Sequence, residues 1–245
     1  MNVTKLSVNV NKIALIRNSR GANYPDLLQI CLDLEAFGAD GITVHPRPDQ
    51  RHIKYDDIPI LKDNIRTELN IEGYPSDDFI KLVIDNAPAR VTLVPDPPGA
   101  LTSDHGWDFV KDKDLLARTI PMFVEAGIRV SLFVDAEEDA ASKAKDAGAD
   151  RIELYTGPYA HDYKASKDTA IKGHVAASEK AASIDLGVNA GHDLNLENLA
   201  FYRSSMPILD EVSIGHALIV DAMYFGYSNA IQMYRDRLLH PGHYD

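Results

Sequence analysis

Histidine follows a short apolar run at three places in this chain: His45 after GITV, His192 after GVNAG and His216 after EVSIG. Carboxylates and amides stand in the same relation. Glu72 and Glu153 lie in ELNIEGYP and RIELYTG, and Asn9 and Asn11 close KLSVNVN just before Lys12. Imidazoles titrating near neutral pH, next to carboxyl groups whose surroundings can tune them, are suited to moving protons. Cations occur nearby: Arg47, Arg51 and His52 crowd into HPRPDQRH, and Arg20 stands earlier, in IRNSRG. Gly215 and His216 stand between an apolar run and a helical pattern, where free backbone N–H groups favour an anion. The combination points to proton transfer on an anionic small molecule.

Something must bring these residues together, because they are spread over 200 positions. Eight short runs rich in Val and Ile recur: KLSVNVN, DGITVHP, ELNIEGYP, RVTLVPD, RVSLFVD, RIELYTG, IDLGVNAGH and EVSIGHA. Each is followed by a polar knot and then a helical pattern. Ser76 is placed to cap a helix whose Phe79, Leu82 and Val83 share one face. Asp135 and Glu138 have capping-box spacing for another, which ends at Gly148. Strands alternating with helices predict a parallel sheet with crossover connections, and eight such units predict an α/β fold, the (β/α)8 TIM barrel. An open doubly wound sheet is the alternative. A short extra helix is expected near the N-terminus, in NKIALIRNSRG. A long loop is expected after strand four, in PDPPGALTSDHGWDFVKDKD, with a lid's composition. No linker or shift of composition divides residues 1–245, which predicts a single barrel domain.

In such barrels chemistry sits at the C-terminal strand ends. His45, Glu72, Glu153 and His192 therefore form the candidate acid–base set, and Thr102 falls in the long loop. Asp135 reads better as a helix cap than as a catalyst.

The bulk composition narrows the partners. The net charge is −12, which argues against nonspecific nucleic-acid binding and against an anionic membrane surface. The single cysteine, Cys31, lies in the apolar helical pattern LLQICLDLEAFG and reads as a core thiol. One cysteine permits no internal disulfide, as in a reducing cytosol. The N-terminal stretch lacks a long apolar segment, and no run approaches the ~20 apolar residues a bilayer span needs. There is no HExxH, no Cys/His pair at zinc spacing, no GxGxxG and no GxxxxGK[ST], so neither a metal nor a nucleotide cofactor is expected.

The blocks VNVNKIALIRNSRG, GADGITVHPRPDQRHI, LNIEGYP, TLVPD, VSLFVD, IELYTGPYA, VNAGHDLN and EVSIGHALI, in this order, resemble the pyridoxine 5′-phosphate synthase family over essentially the whole chain. The resemblance implies condensation of 3-amino-2-oxopropyl phosphate with 1-deoxy-D-xylulose 5-phosphate, releasing phosphate and water. It implies no cofactor, a homo-octamer and a cytoplasmic enzyme of vitamin B6 biosynthesis. By motif, His45 matches a general base, Glu72 a second acid/base group, His192 a proton donor and Glu153 a residue that stabilises the transition state. Arg47, His52 and Thr102 match contacts to the deoxyxylulose phosphate. Asn9, Arg20, Asp193, Gly215 and His216 match contacts to the amino ketone phosphate or the product. Many members have Asp-His where this chain has Asn11-Lys12, and glycine where it has Asp193. A carboxylate facing phosphate is repulsive, so Asp193 is expected to offer its backbone N–H or to cap the next helix.

Two other functions fit part of the pattern. A phosphosugar isomerase or epimerase would share the anion site after strands seven and eight, but would not need the Arg47/His52 cluster. A binding module without activity would not need His45, Glu72 and His192.

Overall fold

The computed structural model of the chain describes residues 3–96, 99–100 and 103–244. Its strands are β1 Lys5–Asn9, β2 Gly41–Val44, β3 Glu68–Gly73, β4 Arg90–Leu93, β5 Arg129–Val134, β6 Arg151–Tyr155, β7 Gly187–Gly191 and β8 Glu211–Ile214. Each pairs in parallel with the next, and β8 pairs with β1, closing the barrel. The helices are α1 Asn11–Asn18, α2 Leu27–Ala36, α3 Asp57–Asn64, α4 Asp77–Asn86, α5 Lys113–Glu125, α6 Ala140–Asp146, α7 Gly157–Ala170, α8 Lys172–Ser183, α9 Leu199–Ser205, α10 His216–Phe225 and α11 Tyr227–Leu239. Because all strands run the same way, all their C-terminal ends open on one mouth. None of the described helices is long and apolar enough to cross a membrane.

The strand period of two sorts the side chains. Leu6, Val8, Ile42, Val44, Leu69, Ile71, Val91 and Leu93 are buried in the main apolar core against the helices. The alternate positions face the barrel axis and are mostly polar, Phe133 on β5 being an exception. Hydrogen bonds cross the lumen between strands that are not neighbours: Arg90 on β4 donates to Glu211 on β8, and Thr92 on β4 lies 3.3 Å from Glu153 on β6. Arg90 and Glu211 are each 1% exposed. The interior is thus a polar column inside an apolar shell, in which Arg90 Nη1 and the Ser131 and Ser213 hydroxyls lack a hydrogen-bond partner.

Ser76 caps α4 as its position suggests, its hydroxyl accepting the Phe79 N–H at 3.3 Å, with Phe79 and Val83 buried beneath and Leu82 half-buried. The expected Asp135 cap is not formed. The chain turns at Asp135–Glu137, the Glu137 N–H donating to the Asp135 carbonyl at 2.8 Å, and α6 starts only at Ala140. The backbone of the long loop occupies the space beside Asp135: a Cβ on Gly106 would sit 2.3 Å from the Asp135 nitrogen. Trp107, next along, is buried, and its indole donates to the Leu93 carbonyl at 2.8 Å. Gly148 ends α6 at φ +93°. Cys31 is fully buried, and burial pushes its thiol pKa far up, as for a core residue.

An aromatic knot outside the barrel carries one titrating group. His174 on α8 is buried, with Nδ1 2.9 Å from the Tyr202 hydroxyl and its ring edge-on to Tyr159. Burial pushes its pKa down to about 4 from 6.5. The unfolded chain then binds a proton here between those values that the native state does not. Stability is therefore lost as pH falls from 6.5 towards 4, on the order of 3 kcal/mol from this group. His174→Gln is expected to flatten that slope, as read from urea midpoints at a series of pH values. A parent and variant of equal slope would show that His174 titrates normally.

Candidate active site

A cavity of about 370 Å³ opens at the C-terminal mouth. From the first strand and its helix it is lined by Asn9, Asn11 and Lys12; from β2 and its loop by His45, Arg47 and His52. Glu72 and Glu153 enter from β3 and β6, and His192, Asp193, Gly215 and His216 from the ends of β7 and β8. The mouth thus gathers twelve of the predicted positions. Arg20 is exposed and lies outside this lining. Thr102 lies outside the described residues. Val94, Ser103, Phe133 and Ser213 also line the cavity and escaped the sequence reading. Strand parity was the available signal for Phe133 and Ser213, which share the inward face with Asp135 and Gly215.

His45 and Glu72 sit together at the centre, with Nδ1 and Oε2 3.9 Å apart. The His45 backbone N–H donates to Asn11 Oδ1 at 2.9 Å, and the Asn11 N–H donates to Asn9 Oδ1 at 3.1 Å. Asn9 Nδ2 donates in turn to Glu72 Oε2 at 3.3 Å. An amide at position 11 still offers the acceptor oxygen that a carboxylate would. Burial, then the Arg47 cation, pushes the His45 pKa well below 6.5. Burial, then the charge of Glu153, pushes Glu72 well above the usual carboxyl range. The two shifts run in opposite senses: the imidazole is biased towards its neutral form and the nearby carboxyl towards its protonated form. Burial also pushes Glu153 up, to about 7, and brings His52 down to about 4 with help from Arg47.

Arg47 is already engaged. It donates to Asp96 at 2.9 Å and to the Ala100 carbonyl at 2.9 Å, and Ser103 donates to the same Asp96 oxygen at 2.6 Å. The His52 loop is fastened to α1, where Arg17 forms a two-pronged ion pair with Asp57 at 2.6 and 2.8 Å. Asn18 donates to the carbonyls of Arg51 and His52. Asp96, Arg17 and Asp57 were not singled out from sequence; pairing across 40 or more positions leaves no local signal.

His192 has φ +90°, a conformation costly for a residue with a Cβ. It places Nδ1 2.6 Å from Asp193 Oδ2. Both expectations for Asp193 are corrected: its side chain lies against His192 instead of capping a helix, and its N–H donates to Thr156 Oγ1 at 3.2 Å. The tight turn leaves the carboxylate no path to α9. The N-terminus of α10, starting at His216, has no side-chain cap. A Cβ on Gly191 would lie 2.8 Å from Glu153 Oε1 and 2.8 Å from the Ser213 carbonyl. Gly191→Ala is expected to displace Glu153 and lower kcat by about 10²-fold, as misplacing a catalytic group by ~1 Å does. Unchanged turnover in this variant would show that Glu153's position is irrelevant. Among the described residues, no group of three or more His, Cys, Asp or Glu side chains is arranged to hold a metal.

A closed parallel barrel with titratable side chains from four strands at its C-terminal mouth defines a barrel enzyme acting on small molecules. Its family is shown by comparison: the model of "Pyridoxal phosphate biosynthesis protein PdxJ" matches residues 6–240, and the chain belongs to that family. The pyridoxine 5′-phosphate synthase of Cytophaga hutchinsonii is 55% identical over 232 residues, covering 95% of this chain and 98% of that one. The same enzyme of Porphyromonas gingivalis is 53% identical over 236 residues, covering 96% and 99%. Among solved structures, thiamine phosphate pyrophosphorylase from Pyrococcus furiosus shares the fold, with a TM-score of 0.61 at 14% identity, covering 98% of each chain.

Proposed function

We propose that this enzyme joins 3-amino-2-oxopropyl phosphate to 1-deoxy-D-xylulose 5-phosphate, with loss of phosphate and water, to give pyridoxine 5′-phosphate. Family membership supports the product class. The observation that carries the mechanism is the contact between His45 and Glu72, held in opposite proton-transfer roles within one buried pair.

Ring closure from an amine and two carbonyl compounds needs repeated proton removal and return, for imine formation, dehydration and aromatisation. His45, neutral, takes a proton. Glu72, protonated, supplies one and afterwards serves as a base. His192, oriented by Asp193, donates from the opposite wall, and Glu153 stabilises developing charge beside it. Two phosphates enter and one remains in the product, so two anion subsites are required. Arg47 and His52 serve the deoxyxylulose phosphate, with Thr102 a further proposed contact. The amino ketone phosphate meets the uncapped α10 N-terminus at Gly215–His216, with Asn9 and Lys12 nearby. Asn11 holds the His45 backbone, and Asp193 acts through His192.

We further propose that the enzyme is a cytoplasmic homo-octamer that uses no cofactor. The exposed apolar side chains Leu15 and Ile16 on α1 and Met223, Tyr224 and Phe225 on the adjoining α10 support an assembled face. Arg20, exposed and outside the cavity lining, is proposed to serve a neighbouring subunit.

The test is omission. With both substrates present, phosphate and a pyridine chromophore rise together. Product from a single substrate would support an isomerase, and binding without product would support the inactive module.

A further inference from the structure

We propose that Asn70 and Thr92 are positioning residues that hold Glu153 protonated, so that Glu153 enters the reaction as an acid. Arg90 Nε can only donate, and its partner at 3.2 Å is Asn70 Oδ1. That settles which end of the Asn70 amide is oxygen. The amide nitrogen then donates to Thr43 Oγ1 at 3.4 Å, and the Thr43 hydroxyl exchanges a bond with Ser7 at 2.7 Å.

Thr92 Oγ1 lies 3.1 Å from the same Asn70 oxygen and 3.3 Å from Glu153 Oε2. It has one proton. Asn70 Oδ1 cannot donate, so the shorter contact is favourable only if Thr92 donates to it. The Thr92 lone pairs then face Glu153. An ionised Glu153 would meet them oxygen to oxygen without a proton between. A protonated Glu153 donates to Thr92 and completes the chain Glu153→Thr92→Asn70, which Arg90 fixes at its far end. Glu153 and Thr92 are almost fully buried, so water does not offer an easy substitute. On the other side, Gly191 leaves Glu153 Oε1 open towards the cavity.

The charged and titratable groups around Glu153 are Arg90 from β4, Glu211 from β8, Glu72 from β3 and His192 after β7. Arg90 pulls Glu153 towards its ionised form, and Glu211, paired with Arg90, pushes it back towards the protonated one.

The kinetic arm of the test rests on Glu153 taking part in the proposed reaction; the spectroscopic arm does not. Infrared difference spectra between the parent and Glu153→Gln isolate the Glu153 carboxyl. The expected result is a protonated C=O band at neutral to mildly acidic pH that disappears as pH rises. Thr92→Val removes the acceptor, so the band is expected to vanish at lower pH, by roughly tenfold in proton affinity. Thr92→Ser, which keeps the hydroxyl, restores it. The basic limb of kcat should move in the same direction. A carboxylate band throughout, or a Thr92→Val band that survives to higher pH, would overturn the proposal, because it would mean that Thr92 donates to an ionised Glu153. If Thr92→Val does not fold, the parent spectrum and Thr92→Ser still decide the protonation state. A normal band with no turnover would count against the reaction and leave the relay standing.

Discussion

His45→Ala is expected to lower kcat by about 10²–10⁴-fold, the range set by losing a positioned general base, while the protein keeps its fold. In the proposed mechanism the parent needs His45 unprotonated, and burial with Arg47 favours that form. Its activity therefore falls on the acid side only once His45 takes a proton. The variant has no such group, so its residual rate should lack the acid limb that His45 sets. Glu72→Gln should lose a comparable factor, because an amide cannot give up and regain a proton in the same way. The two substitutions combined are expected to cost little more than either alone, since the pair works as one unit in contact at 3.9 Å. Steady-state kinetics across pH on the three variants checks this. Full additivity would mean that the two groups act in separate steps.

The largest stability effect is expected deep in the barrel. Arg90→Met should destabilise the protein by about 3–5 kcal/mol, since it strands the Glu211 carboxylate where water cannot reach it. For a chain of this size that corresponds to roughly a 10 °C fall in melting temperature. Glu211→Met alone should cost a similar amount by stranding the guanidinium. The double variant, with neither charge, should regain most of the loss, as calorimetry would show. A double variant as unstable as the singles would place the energy in the Asn70 hydrogen bond and in packing, not in uncompensated charge.

The strand–helix alternation made the barrel legible, because most runs of β-branched residues were punctuated by glycine or proline. The strand-end rule then led to His45, Glu72, Glu153 and His192 before any geometry was known, and the structure places all four around one cavity. The polar lumen was less visible. Arg90 and Glu211 open their strands as ordinary flanking charges, and only barrel closure sets them face to face. Asp135 misled because capping-box spacing is a local signal, and the returning loop at Gly106–Trp107 overrode it. Asp193 misled for a related reason: the left-handed backbone at His192 cannot be read from residue types. Asp96 gave no sign in sequence, although it holds Arg47.

The central claim is that one cavity joins two phosphorylated substrates into a ring. The most direct measurement is the ratio of inorganic phosphate released to pyridine product formed by the wild-type enzyme, with both substrates supplied and product followed to completion. The account predicts equal amounts, with neither appearing when either substrate is left out. Phosphate released without ring formation, or a ring formed with both phosphates set free, would contradict it.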